Sequence, residues 1–341
     1  MQEWIVSQDE RGQRLDKYLR RRLPQAPSSF IYRMLRKKNI TMNSHKASGS
    51  ETVNTGDRVA LFLSDETIGK FSGESQGTEV RNDTAEYEKA YRELRPLMGK
   101  DPVLYEDRHV VLVRKPAGVL SQKAQPGDVS VNEWLVGYLL QRKKDPVSAD
   151  SLSFYTPSVC SRLDRNTGGI LLCAASLQGS RELTALLRDR RMGKFYRAVV
   201  LGKTGPEGVI EGYLTKDGNN RSRMGTKASE GAKWSRTLYR TLQSGPHCSL
   251  VELKLETGRT HQLRAHLSGI GHPIIGDPKY GDMEANRAAH RLARFQGQLL
   301  WCTRVEFPQA GEDGGAPELN GLYGKRFVCA PPDFYESIVR R

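Results

Sequence analysis

Asp164 lies between two arginines in Ser161-Arg162-Leu163-Asp164-Arg165-Asn166-Thr167-Gly168-Gly169, and the segment then runs into apolar Ile170-Leu171-Leu172. Guanidinium groups at Arg162 and Arg165 would keep a carboxylate ionised and hold its orientation. A carboxylate so held can act as a nucleophile or a general base. Taken alone, an acid between arginines also describes an ordinary salt-bridged turn. A second segment, Thr257-Gly258-Arg259-Thr260-His261-Gln262-Leu263-Arg264-Ala265-His266, has the pattern of a helix start with Thr260 as candidate cap. In such a helix His261 and Arg264 face one way. Adding His272 gives three histidines within twelve positions, which invites a metal reading. His261 and His266 are five apart, however, which aligns poorly on a helix, and no H-E-x-x-H pattern occurs, so no metal site is expected. A third segment, Gly193-Lys194-Phe195-Tyr196-Arg197-Ala198, opens a β-prone run in which Tyr196 either fills a core or offers a ring for a base to stack on.

Elements must hold these groups in place. From Arg11 to Lys46 basic residues accumulate against a single acid, Asp16. Leu15, Tyr18, Leu19 and Leu23 fall at helical spacing, which puts Arg14, Lys17 and Arg21 on a short amphipathic helix. After Pro24 and Pro27, Ser28 and Ser29 are candidate caps for a second helix through Ile31, Met34 and Leu35, which carries Arg33, Arg36 and Lys37. Short strands follow at Ile40 to Asn43 and Val59 to Leu63, making one small α+β unit over residues 1–64. Residues 65–99 are rich in Gly, Ser, Thr and acids and are expected to be a linker, with a short helix near Tyr87 to Leu94.

Residues 100–341 read as a second domain. Strand-like runs recur at Val110 to Val113, Gly169 to Cys173, Tyr196 to Val200, Ser235 to Leu242 and Leu250 to Leu255. Helical patterns fall at Val131 to Leu140, Ser180 to Arg190 and Thr260 to Leu267. Strands and helices alternate too irregularly for a doubly wound parallel sheet, so a mixed, mainly antiparallel α+β domain is expected. The polar stretch from Gln141 to Ser153 reads as a surface loop.

The balance of charge narrows the partners. The chain of 341 residues carries 53 Lys and Arg against 39 Asp and Glu, a net charge of +14, which favours a polyanion such as nucleic acid. No run approaches the ~20 apolar residues of a membrane helix. The first residues have no apolar core, so neither a signal nor a transit peptide is expected, and the cytoplasm is the expected location. Five widely spaced cysteines with no C-x-x-C suggest reduced buried thiols rather than disulfides or zinc.

Together the segments resemble the RluA family of pseudouridine synthases. The family's H-R-L-D-x-x-T-S-G is matched by Arg162, Leu163, Asp164, Thr167 and Gly169, and its K-x-Y-x-A by Lys194, Tyr196 and Ala198. Its T-G-R-x-H-Q-L-R-x-H followed by G-H-P-I-x-G-D-x-x-Y-G is matched from Thr257 to Gly281, and its K-P-A-G by Lys115 to Gly118. The N-terminal unit is similar to the small S-four-like RNA-binding domain, through Arg14-Leu15-Asp16-Lys17-Tyr18-Leu19, Ile40 to Asn43 and Gly56-Asp57. The resemblance implies an isomerase that converts uridines of ribosomal RNA (large subunit first) or transfer RNA to pseudouridine, as a monomer with no cofactor and no obligatory protein partner. It implies that Asp164 is the catalytic carboxylate, Tyr196 packs on the target base and Arg264 pairs with Asp164. Arg162 then helps open the RNA and supports the flipped nucleotide, while Arg165, Arg259 and His261 join it as RNA contacts. Base extrusion is required because the glycosidic bond cannot be reached inside a stack.

The chain departs from the family pattern in three places. Ser161 replaces the usual His, Gly168 replaces the Ser of T-S-G, and Leu300-Trp301-Cys302 stands where L-H-A is common. The alternative reading is a non-catalytic RNA-binding ribosome assembly factor on the same fold. A hydrolase using Asp164 would need a second acid, for which Asp277 is the candidate, although Gly-Asp-Pro reads as a turn.

Overall fold

The computed structural model describes residues 1–8, 10–72, 84–142, 152, 155–217, 221–225, 228, 230–295, 297–311 and 315–341. In the first unit strand β1 (Gln2–Ile5) precedes helices α1 (Leu15–Arg22) and α2 (Ser28–Arg36), strands β2 (Ile40–Met42), β3 (His45–Lys46) and β4 (Arg58–Leu61), and helix α3 (Asp65–Ser72). The strands form one antiparallel sheet in the order β1-β4-β2-β3. The apolar spacing of α1 does what it predicts: Leu15, Tyr18, Leu19 and Leu23 are fully buried, and they pack with Ile31, Leu35, Ile40 and Val59. The expected serine caps on α2 are absent. The helix begins at Ser28, Pro27 takes the cap position and no side chain caps it, because the fixed φ of proline already sets the chain's entry.

The second unit contains α4 (Ala85–Met98), β5 (Val103–Glu106), β6 (Val110–Lys115), α5 (Val131–Gln141), β7 (Ser158–Val159), β8 (Gly168–Ala174), α6 (Leu177–Arg188), β9 (Gly193–Leu201), β10 (Glu207–Lys216), β11 (Ser222–Gly225), β12 (Lys233–Ser244), β13 (Cys248–Leu255), α7 (Gln262–Gly269), α8 (Met283–Leu292), β14 (Leu300–Glu306), β15 (Arg326–Val328) and α9 (Phe334–Arg340). One sheet runs β11-β10-β12-β13-β9-β14-β8-β6-β5, with β15 paired to β14 and β7 to β8. Its pairs are antiparallel except β14 with β8, so the mixed, mainly antiparallel expectation agrees with the structure. Val110 to Val113 and Ile170 to Ala174 are buried throughout, as strands covered on both faces must be. Among the described residues no helix is long and apolar enough to cross a membrane.

The segment expected to be a linker contains the helix anticipated near Tyr87 to Leu94, as α4, and a second, unanticipated helix, α3, at its start. Helix α3 contributes Ile68 to the first core, while α4 buries Ala90, Leu94 and Met98 and packs on α5. Residues 73–83 lie outside the described residues, as does most of the expected surface loop, 143–151 and 153–154. The units meet through polar groups: Gln178 Nε2 donates to the Gln8 carbonyl at 2.8 Å, Arg181 to the Arg11 carbonyl at 3.1 Å, and Arg11 pairs with Glu318.

Candidate active site

Asp164 sits on the loop between β7 and β8, and that loop is clamped from several sides. Ser121 Oγ donates to the Leu163 carbonyl at 2.8 Å and accepts from the Leu163 amide at 3.1 Å. The Arg165 carbonyl accepts from Lys115 Nζ and from the Gly118 amide, both at 2.9 Å. Thr167 N donates to the Asp164 carbonyl at 3.0 Å, closing the turn, and Gln298 holds the Thr167 hydroxyl at 3.1 Å. Lys115 is wholly buried and its ammonium also donates to the carbonyls of Pro116 and Val119. Burial pushes that amine down to about 7 although Asp164 pulls the other way. Gly169 has φ +108 and lies against the Cys302 backbone, where a Cβ would collide, so the loop can enter β8 tightly only through glycine.

The guanidinium that holds Asp164 comes from elsewhere in the chain. Arg264, on α7, donates from Nη1 to Asp164 Oδ2 at 2.8 Å. Its other side forks onto Asp277 at 2.6 and 2.8 Å, and Asp277 also accepts from the amides of Lys279 and Tyr280. Burial opposes the charge on Arg264, but Asp277 and then Asp164 outweigh it and raise its pKa above the ordinary arginine value. Burial likewise opposes ionised Asp277, and Arg264 with the two amides still holds its carboxyl below the usual range. Arg264 is therefore fixed by one fully buried carboxylate and presents its remaining edge to a second that is 31% exposed. This corrects the expectation that Arg162 and Arg165 orient Asp164: both are exposed, and neither pairs with it among the described residues.

Thr260 does not cap α7. His261 takes that position in the left-handed region, φ 53 and ψ 21. That turn brings its Nε2 to 4.0 Å from Asp164 Oδ2 and its Nδ1 to 3.1 Å from the Tyr280 hydroxyl. Burial lowers the His261 pKa, so at neutral pH the imidazole is a neutral neighbour of the carboxylate rather than its counter-ion. His266 is buried against Ser235 Oγ at 2.8 Å and His272 meets the Leu201 carbonyl at 2.9 Å. The three histidines thus have separate tasks, and no metal-binding group gathers among the described residues.

These groups line a cavity of about 910 Å³. Asp164, Tyr196, Arg264, His261, Arg162, Arg165 and Arg259 all face it. Tyr196 is buried on β9, opposite Cys302 of β14. Burial raises this phenol well above its ordinary pKa. The β9–β14 register shifts at this point, between Cys302 and Arg304, and such bulges re-aim neighbouring side chains. Of the acids in the cavity lining, Asp164 is accompanied by Glu256 and not by Asp277, so Asp277 cannot serve as a hydrolase's second acid.

The basic residues expected to contact RNA from the first unit form a separate set, and none lines the cavity. Arg14, Lys17, Arg33, Arg36 and Lys37 are exposed on α1, α2 and their flanks. Arg21 is half-buried near Arg181 of α6, which lowers its pKa after burial itself. Sequence reasoning did not single out Lys115 or Lys194 for a role and took Asp277 for turn structure. The only signal for these residues was their place within matched motifs.

Two departures from the family pattern form one contact. Gly168 pairs with Trp301 across the parallel β8–β14 register, and a Cβ on Gly168 would overlap the Trp301 ring. The absent serine side chain is the space that the tryptophan fills. Ser161, the third departure, uses its hydroxyl to accept from the Leu172 amide at 3.2 Å and so ties the loop to β8.

The chain has relatives among known proteins. The family profile described as RNA pseudouridylate synthase matches residues 109–269, which include Asp164, Tyr196 and Arg264. The chain is 31% identical over 315 residues to the ribosomal large subunit pseudouridine synthase D of Nitrosomonas europaea, covering 91% of this chain and 82% of that one. It is 30% identical to the protein of the same name from Borreliella burgdorferi, covering 96% and 91%. Among solved structures, human RNA pseudouridylate synthase domain containing 4 shares the fold, with TM-score 0.55 and 22% identity over 74% of this chain and 96% of that one.

Proposed function

Because this chain belongs to the RluA family of RNA pseudouridine synthases, we propose that it isomerises uridines of large-subunit ribosomal RNA, with Asp164 as the catalytic carboxylate. One observation carries the assignment of the residue. Asp164 is 31% exposed at the cavity, held at 2.8 Å by an arginine that a buried carboxylate fixes in turn. An acid so oriented, ionised and still accessible is what attack on a nucleoside or removal of its proton requires.

The remaining roles follow from position. Tyr196 offers its ring beside Asp164 as the platform for the flipped base. Arg264 is a positioning residue that acts through Asp164. Arg162, Arg165 and Arg259, at the cavity, meet the phosphates and the unpaired strand next to the target. The first unit, closing with Ile68 of α3, serves as an S-four-like RNA-binding domain; the second, opening with α4, is the catalytic domain. Exposed Arg14, Lys17, Arg33, Arg36 and Lys37 then supply affinity rather than sequence choice. The relatives' names favour large-subunit ribosomal RNA over transfer RNA as the substrate.

The test is to map pseudouridines in the total RNA of a strain lacking the gene, before and after the gene is restored. The expected result is the return of one or more pseudouridines in large-subunit ribosomal RNA. Their return only in transfer RNA would overturn the substrate assignment, and the return of none would overturn the activity in favour of an assembly factor.

A further inference from the structure

Lys194 lines the same cavity and takes no part in the arrangement described above. It lies two positions before Tyr196 on β9, and strand alternation puts both side chains on one face. Its ammonium lies beneath the turn before α7: a Cβ built on Gly258 would be 3.9 Å from Nζ. The side chain is largely buried, and among the described residues its ammonium has no carboxylate in ion-pair range and no hydrogen-bond partner. The neighbouring group is the Cys302 thiol, which burial pushes up to about 12 and so keeps neutral.

A buried ammonium beside a cavity is costly unless an anion comes to meet it. The other cations nearby are already engaged or face elsewhere. Two carboxylates share the charge of Arg264, and three carbonyls take the ammonium of Lys115. Arg162 and Arg165 are exposed at the mouth, where phosphates pass.

Isomerisation creates an anion inside the cavity. When the N1–C1′ bond breaks, its electron pair stays on the base and spreads over N1, O2 and O4. After the base turns, C5 forms the new bond to C1′, C5 gives up its proton and N1 gains one, so atoms and electrons balance without a co-reactant. We propose that Lys194 contacts the carbonyl edge of the target uracil and stabilises the negative charge the base carries while it is detached. This rests on the synthase reading above, and it makes Lys194 a catalytic residue. A cation fixed in a dry site before charge develops lowers the barrier more than the same cation would in water.

The experiment compares wild type, Lys194→Met, Lys194→Gln, Lys194→Arg and Asp164→Asn in single turnover on a target RNA, with RNA affinity and melting temperature measured for each. Lys194→Met and Lys194→Gln are expected to slow conversion by about 10²–10³-fold while affinity and melting temperature hold. Lys194→Arg should recover part of the rate. Placing 5-fluorouridine at the target, whose base bears negative charge more readily, should narrow the gap between wild type and the uncharged variants in consumption of the nucleoside. The assignment is overturned if a folded uncharged variant keeps the wild-type rate. It is also overturned if the loss appears as weaker, less salt-dependent RNA binding, which would place a backbone phosphate on Lys194. If Asp164→Asn is inactive while the uncharged Lys194 variants are active, only this assignment falls; if Asp164→Asn is active, the site reading itself falls.

Discussion

Replacing Gly168 with serine restores the family's usual residue and should nevertheless harm this protein. Trp301, 7% exposed, occupies the space a serine side chain needs, so the new Cβ must displace the ring or the strand beneath it. Overpacking of this kind costs about 1–3 kcal/mol. For a domain of this size each kcal/mol lowers Tm by roughly 2–4 °C, so a fall of about 2–12 °C is expected. Asp164 lies four residues upstream on the same loop, and a displacement of about 1 Å there can cost on the order of 10²-fold in rate. Trp301→His is itself destabilising because it leaves part of the space empty. In that background, however, the serine should cost less than about 0.5 kcal/mol, giving a coupling of roughly 0.5–3 kcal/mol between the sites. Urea denaturation followed by circular dichroism on the four proteins of the cycle measures this, and single-turnover rates on the same samples report the loop. Equal costs for Gly168→Ser in both backgrounds would refute the claim that these two departures are one packing unit.

Three further outcomes follow from the same geometry. Asp277→Asn leaves Arg264 buried with only Asp164 as counter-ion, so urea denaturation should show a loss of about 3–5 kcal/mol and the conversion rate should fall with RNA affinity retained. His266 has a pKa of about 4 in the fold because burial disfavours its charge, against about 6.5 in the unfolded chain. Below the unfolded value the unfolded chain binds the extra proton. Its contribution is therefore present above about pH 6.5 and is lost as pH falls towards 4, at roughly 1.4 kcal/mol per unit, and His266→Gln should flatten that part of the stability profile. Removing residues 1–72 should weaken RNA binding and make its salt dependence shallower, by about 0.7 in logarithmic slope for each lost contact to single-stranded phosphate. The rate at saturating RNA should remain, and undiminished affinity would remove the first unit from the RNA interface.

Periodic features were legible in the sequence because they are local. Leu15, Tyr18, Leu19 and Leu23 announce a helix face, and the run at Val110 a buried strand, without reference to the rest of the chain. The partner of Asp164 was not legible from local charge. Arg162 and Arg165 flank it in sequence, yet an extended turn points them to solvent, while Arg264 arrives from a helix 100 residues away. That pairing came only from resemblance between motifs. Thr260 misled because a left-handed residue, here His261, can begin a helix without a side-chain cap. Asp277 was read as turn structure, and it is in a turn; its second task, fixing Arg264, depends on a contact that spacing does not encode. The helix expected near Tyr87 to Leu94 is present as the longer α4, whereas α3 was not legible because a single buried apolar residue, Ile68, suffices to dock a short helix once a core is present.

The most direct test of the central claim is the single-turnover conversion of a large-subunit ribosomal RNA transcript by purified wild type and Asp164→Asn. Pseudouridine would be read by adduct formation and primer extension, and RNA affinity measured in parallel. Asparagine nearly preserves the shape of the side chain and removes its charge, so the account predicts conversion by wild type, a loss of at least about 10²–10⁴-fold in the variant, and unchanged RNA binding. A variant that still converts its uridine at the wild-type rate would contradict it.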